Sequence, residues 1–357
     1  MKRSALLERL GIEHPIFLAP MGGGPGTPEL AAAVSEAGGL GALGAAYLTA
    51  DQTREAIRKV RSLTRKPFQV NLFCGGRESR ADFDAAPMLA LLAEVHEKLG
   101  LPAPVLPALP ADPFPAQLEV VLEERPAAFS FTFGIPDAAA LGRVKERGIL
   151  VLGTATTLEE GRLLERAGVD GIAAQGAEAG AHRGTFARSF EESMVPLAEL
   201  VRGLVRECSV PVVASGGIMD GRDIAAALAN GAVAAQLGTA FLCSPECGTA
   251  AAYKQAILAA KIDTTVVTRA YSGRPARGLR NTFIEQLAGR EEIILPYPLQ
   301  NALTRTMRTA AGQKGEAGYL SLWAGQGVTR ARSLPAGDLV RLLVEELRQA
   351  QAVAPRG

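Results

Sequence analysis

Residues 211–239 read PVVASGGIMDGRDIAAALANGAVAAQLGT and contain one complete structural repeat. Pro211–Ala214 is a short unbroken apolar run, the pattern of a strand buried on both faces. A polar, glycine-bearing turn follows, Ser215-Gly216-Gly217-Ile218. Asp220 then opens a helix as its N-cap. Asn230-Gly231 stops that helix. Ala232–Leu237 is a second buried run, ending in Gly238-Thr239. Strand, helix and strand in this order predict a parallel sheet.

The same unit recurs along the chain. Apolar runs of strand length lie at Ile16–Pro20, Leu40–Leu43, Phe68–Phe73, Ala127–Phe133, Ile149–Leu152 and Gly171–Ala174, ahead of the two just described. Thr27–Ala37, Asp51–Leu63, Pro136–Arg147 and Thr157–Ala167 are helical in pattern. Thr27-Pro28 reads as a helix start, and Ala37-Gly38 and Ala167-Gly168 read as helix stops. Eight units predict an α/β protein, a (β/α)8 TIM barrel; a doubly wound sheet shares the local pattern. The rhythm breaks twice. Cys74–Pro115 is long and proline-rich, with a helix expected over Met88–Leu99. Ile262–Gln326 does not alternate and predicts a small, mostly helical second domain. The expected organisation is a barrel core over 1–261, an insertion over 262–327 covering the barrel mouth, and a C-terminal segment over 328–357. The last carries a helix, Ala336–Ala350, with Leu339, Val340, Leu343, Val344 and Leu347 on one stripe.

Composition narrows the function classes. Of 357 residues, 48% are hydrophobic, enough for a large core, and the net charge is only +1. A nucleic-acid binder needs a basic domain or stripe. The arginine-rich stretch Arg269–Arg290 lacks interleaved aromatics and reads as a solvated surface. Ile224–Pro245 is uncharged and long enough to cross a bilayer. The Asn230-Gly231 stop in its middle makes it a helix, a turn and a strand instead. Cys74, Cys208, Cys243 and Cys247 are scattered and fit a reduced, cytoplasmic protein without a disulfide framework or a metal site.

Candidate chemistry lies at the C-terminal ends of the strands, where a barrel keeps its site. Gly39-Leu40-Gly41-Ala42-Leu43-Gly44 matches G-x-G-x-x-G but sits inside a strand, so close packing explains it better than a dinucleotide. The first strand ends in Ala19-Pro20-Met21-Gly22, where backbone can approach a flat ligand. Asn71 places an amide near the end of an apolar strand, and such a group needs partners. Gly216-Gly217 and Gln236-Leu237-Gly238-Thr239 end consecutive strands and suit a phosphate. After the sixth strand comes Gln175-Gly176-Ala177-Glu178-Ala179-Gly180-Ala181-His182-Arg183-Gly184-Thr185-Phe186. The chain has three histidines. His14 and His96 read as structural or solvated, whereas His182 sits in a glycine-rich loop at the catalytic end, placed to accept a proton or meet an anion.

Together these segments resemble the nitronate monooxygenase family, from Ala19-Pro20-Met21 to Leu322-Trp323-Ala324-Gly325-Gln326-Gly327. Glu178-Ala179-Gly180-Ala181-His182-Arg183-Gly184 is the most specific part; family members usually have glycine where this chain has Ala181. The resemblance implies non-covalent flavin mononucleotide (FMN) between the barrel and a small domain. Asn71, Gln175, Gly180, Gly217, Gln236, Gly238 and Thr239 would be flavin contacts, and His182 would stand at the reactive face. It implies oxidation of a small-molecule nitronate by O2 to a carbonyl compound and nitrite, without nucleic-acid or membrane partners, in a monomer or homodimer. Tyr297, Tyr319 and Trp323 are expected to help close the mouth. Two neighbours share the glycine-rich histidine segment: flavin-dependent enoyl-acyl carrier protein reductases and NADH:quinone reductases. Arg183-Gly184-Thr185-Phe186 favours the nitronate group over both. A non-catalytic flavin-binding protein is the further alternative.

Overall fold

The computed structural model describes residues 4–76, 83–109 and 111–353. Parts of the proline-rich 74–115 stretch therefore lie outside the described residues. The described residues form eleven strands: β1 (Ile16–Leu18), β2 (Gly41–Gly44), β3 (Phe68–Phe73), β4 (Ala128–Thr132), β5 (Leu150–Ala155), β6 (Gly171–Gln175), β7 (Ala181–His182), β8 (Val212–Ser215), β9 (Ala234–Leu237), β10 (Thr265–Thr268) and β11 (Ala276–Leu279). Eight of them form one parallel sheet in the order β1-β9-β8-β6-β5-β4-β3-β2. A parallel bridge between Phe17 and Leu40 joins the two ends, so the sheet closes as a TIM barrel.

The helices between strands start where short polar side chains can cap them. Thr27, Thr49, Asp137, Thr157 and Asp220 each accept a hydrogen bond from a backbone N–H of the first turn. Each such cap is worth about 1 kcal/mol. The barrel floor is plugged from below. Leu6, Leu7 and Leu10 of the helix Ala5–Leu10 pack with Phe17, Leu40, Leu152 and Val213 in one buried cluster. The helix Ala336–Val353 buries Leu339, Val340, Leu343, Val344 and Leu347, and it packs on the helices Gly221–Ala229 and Pro28–Glu36. The G-x-G-x-x-G stretch is explained by packing. A Cβ at Gly41 would lie 2.0 Å from Ala31 O, and one at Gly44 would lie 2.5 Å from Gly22 N. Ile224–Pro245 is divided between a helix, β9 and a short 3-10 turn; among the described residues no helix is long and apolar enough to cross a membrane.

The stretch after β9 contains a hairpin that the apolar pattern does not reveal. β10 and β11 pair antiparallel, and β11 pairs in turn with β7, setting Ala276 opposite His182. Short helices follow at Thr282–Gln286, Leu299–Leu303 and Arg305–Lys314. The hairpin thus stitches this stretch to the histidine loop at the barrel mouth. The reading of Arg269–Arg290 as a solvated surface fails along much of its length: residues 270–273 and β11 are buried, as are Phe283 and Leu287. Arg277 is buried and donates to Ala177 O, and the Arg274 guanidinium carbon sits 4.0 Å above the centre of the Phe133 ring. Both gain acceptors or a π face that water would otherwise supply.

Candidate active site

A cavity of about 1150 Å³ opens at the C-terminal ends of the barrel strands. That is somewhat above the usual range for ligand pockets, large enough for a nucleotide-sized cofactor and a small substrate together. Ala19, Pro20, Met21, Gly22, Asn71, Gln175, Gly180, Ala181, His182, Gly216, Gly217, Gln236, Gly238 and Thr239 all line it. Leu237 does not. It lies in β9 between two cavity-facing neighbours, so strand alternation turns its side chain into the core, where it is 1% exposed.

His182 ends β7 and is boxed by aromatic rings. Phe73, Phe133, Tyr297 and Trp323 stand with ring centres 5.7 to 6.4 Å from the imidazole. Its Nε2 is 2.8 Å from Ser272 Oγ. Ser272 Oγ also donates to Arg274 O (3.2 Å) and accepts from Arg274 N (3.3 Å). Ser272 thus anchors the Nε2 edge of the ring and is itself held by the Arg274 backbone. Burial, and then the Arg274 and Arg308 cations, push the His182 pKa down to about 3. The imidazole is thus neutral near neutral pH, an acceptor rather than a cation.

The loop around this histidine is held tightly. Gln175 donates from Nε2 to His182 O (2.9 Å) and accepts at Oε1 from Gly184 N (2.8 Å). Both ends of the amide expected to face a ligand thus also brace the loop. Two of the four non-glycine residues at positive φ among the described residues, Phe133 (77°) and Ala181 (61°), line the cavity beside His182. Left-handed backbone is costly for a residue with a Cβ, and such strain gathers at functional sites.

At the opposite end are free backbone donors. Among the described residues, the N–H groups of Gly217, Gly238 and Thr239 have no protein acceptor. Gly217 turns at φ 68°. At Gly238 a Cβ would stand 3.3 Å from Ala19 Cβ and 3.8 Å from Met21 Sδ, inside the cradle. Thr239 Oγ1 accepts from Gly325 N (2.9 Å), which ties the insertion to this turn. Asn71, 3% exposed, donates to Ser130 Oγ (3.0 Å), and among the described residues no donor reaches its Oδ1. Gln236 donates to Ser215 Oγ at 3.3 Å. These groups fit an anionic phosphate at one end and a polar, flat ring system along the floor.

Several lining residues carry no local signal in the sequence. Asn301, Arg305, Arg308, Thr309 and Gly312 recur at helical spacing and present one face to the cavity. Arg308 donates from Nη2 to Asn301 O (2.8 Å) and Asn301 Oδ1 (2.9 Å), and it forms no ion pair among the described residues. Burial lowers its pKa. An unpaired cation here favours an anionic ligand. Tyr47 also lines the cavity; burial and the neighbouring Tyr297 hold its phenol well above the ordinary range. Of the aromatics expected at the mouth, Trp323 lines the cavity and Tyr297 backs His182. Tyr319 is packed into the core instead. His96 is also buried, with Nδ1 2.7 Å from Pro102 O, a structural contact rather than a solvated one. The four cysteines are free thiols.

Residues 3–346 match the model of a family described as nitronate monooxygenase. A nitronate monooxygenase from Paraburkholderia phytofirmans is 46% identical over 98% of this chain and 96% of its own length. A crystal structure titled as a nitroalkane oxidase from Streptomyces ansochromogenes superposes with a TM-score of 0.90 at 42% identity, covering 98% of this chain and 99% of that one. FabK from Thermotoga maritima superposes less closely, with a TM-score of 0.77 at 31% identity over 99% and 98% of the two chains.

Proposed function

The chain belongs to the nitronate monooxygenase family, and we propose that it uses bound FMN and O2 to oxidise alkyl nitronates, such as propionate 3-nitronate, to a carbonyl compound and nitrite. The observation that carries this reading is the pairing of a neutral histidine in an aromatic box with an unpaired cation on the same cavity. A nitronate is already an anion, so it needs a positive field and hydrogen-bond donors more than a strong base.

FMN, when bound, supplies the electron acceptor for the substrate and the route of electrons to oxygen. The chain's own part is binding, orientation and exclusion of water. The free N–H groups at Gly217, Gly238 and Thr239 would hold the phosphate, and Ala19–Gly22, Asn71 and Gln175 the rest of the cofactor. Gly180 and Ala181 would bring backbone close to it. His182, anchored by Ser272 at Nε2, would present a neutral imidazole to the substrate. Arg308 and Arg305 supply the field that draws the anion in. Phe73, Phe133 and Trp323 keep the reacting end dry, which strengthens each of these interactions.

The test is nitrite release by the flavin-loaded protein beside its His182→Ala variant. The reading expects nitrite from the parent and a fall of about 100-fold or more in the variant at equal flavin content. Equal rates would remove His182 from the reaction.

A further inference from the structure

Glu160 is fully buried and lies in the first turn of the helix Leu158–Arg166, capped by Thr157. A glutamate in that place ordinarily folds back on its own cap. Here the two carboxylate oxygens divide. Oε2 accepts from Thr156 N and Thr156 Oγ1, both at 2.6 Å. Oε1 reaches across to the next loop and accepts from Thr185 Oγ1 (2.9 Å), Phe186 N (2.6 Å) and Ala187 N (3.0 Å). Five donors converge on one carboxylate, and no cation forms an ion pair with it among the described residues. Burying a charge in this way is costly unless the hydrogen bonds are all made.

The loop it grips is the one that carries the histidine. From His182 the chain runs through Arg183 and Gly184 to Thr185. Gln175 holds the near end, at His182 O and Gly184 N. Glu160 holds the far end. Thr185 O accepts in turn from Arg274 Nη2 (3.3 Å), and Arg274 lies over Phe133, one of the rings around His182. The carboxylate therefore reaches the imidazole only through Thr185, Arg274 and Phe133, and Glu160 does not line the cavity.

We infer that Glu160 is a positioning residue for His182, a buried anionic clamp that fixes the 182–187 loop and, through Thr185 and Arg274, the surroundings of the imidazole. The kinetic part of its test rests on the nitronate reading; a spectroscopic part does not. Glu160→Gln keeps the shape and replaces one acceptor oxygen with an NH2 group. That group cannot accept from Thr156 on one side, or from Phe186 and Ala187 on the other. Thr185→Val removes a single donor and is the milder variant.

The experiment compares both variants with the parent by nitronate kinetics and by NMR titration of the imidazoles, of which the chain has three. The expected result for Glu160→Gln is a fall in kcat of roughly 10- to 100-fold, as for an imprecisely held catalytic group. KM should stay within about 3-fold, and the His182 titration should move upward as water and a displaced Arg274 change its surroundings. Thr185→Val should shift both in the same direction by less. A folded Glu160→Gln protein with parental kcat and parental His182 titration overturns the inference, even if its thermal stability is lower. Should Glu160→Gln fail to fold, the same null outcome in Thr185→Val overturns it. If the parent oxidises no nitronate, the functional reading fails, and the His182 titration alone decides the role of Glu160.

Discussion

Arg308→Met separates the cation from its side-chain bulk. The parent guanidinium spends Nη2 on Asn301 O and Oδ1 (2.8 and 2.9 Å) and Nε on Thr304 O (3.4 Å). Among the described residues Nη1 has no acceptor, and Arg308 lines the cavity, where an anion could take it. A hydrogen bond to a charged group is worth about 1.5–3 kcal/mol, which corresponds to roughly 10- to 150-fold in affinity. Folding stability should move by only about 1 kcal/mol, because relief from desolvating an unpaired charge offsets the hydrogen bonds lost to Asn301. The assay is steady-state oxygen uptake over a range of nitronate concentrations at matched flavin content. The variant should raise KM within that range and change kcat less, and Arg308→Lys should fall between the two. An unchanged KM in Arg308→Met would refute the assignment of the cation to the substrate.

Three further outcomes follow from the geometry. His182 has a folded pKa of about 3 against an ordinary value of 6.5, so the unfolded chain takes a proton that the native state refuses. Its contribution is present above pH 6.5 and lost as pH falls towards 3; between pH 6.5 and 5 the loss is about 2 kcal/mol. Denaturant titrations of the parent and His182→Gln should show a shallower acid slope in the variant, and equal slopes would contradict the burial argument. Ala181→Gly relieves an L-residue held at φ 61° and adds unfolded-state freedom, for a net stabilisation of about 0–1 kcal/mol; a clear loss of stability at the urea midpoint would count against the strain. Gly217→Ala puts a Cβ 3.0 Å from Glu178 Cβ at a φ of 68°, and should cut retained flavin by roughly 10-fold. Parental flavin content on gel filtration would move the phosphate elsewhere.

The barrel was legible because each strand is a local event. A buried apolar run such as Val212–Ser215 or Ala234–Leu237 is bounded by its own turn chemistry, and Thr157 and Asp220 mark helix starts soon after the strands before them. The glycine-bearing turns and His182 were legible for the same reason. What stayed hidden is non-local. The β10–β11 hairpin has half-buried and polar residues, and its partner is a two-residue strand more than 80 positions earlier. Arg308 and Tyr47 reach the cavity and Ser272 reaches His182 from three separate segments, and nothing beside them in sequence distinguishes them from surface residues. Leu237 was misplaced by reading a whole turn as a ligand contact, when strand alternation divides its residues between cavity and core. Gln175 shows the converse: it lines the cavity, but its bracing of the histidine loop depends on partners at 182 and 184 that only the folded loop brings within reach.

The most direct test of the account is oxygen uptake by the flavin-loaded protein with propionate 3-nitronate and no nicotinamide, set beside NADH and NADPH oxidation in a parallel cell. The account predicts rapid uptake with nitrite release from the nitronate and only slow turnover of either nicotinamide. Fast NADH or NADPH oxidation with no uptake on the nitronate would contradict it and move the site to a reductase.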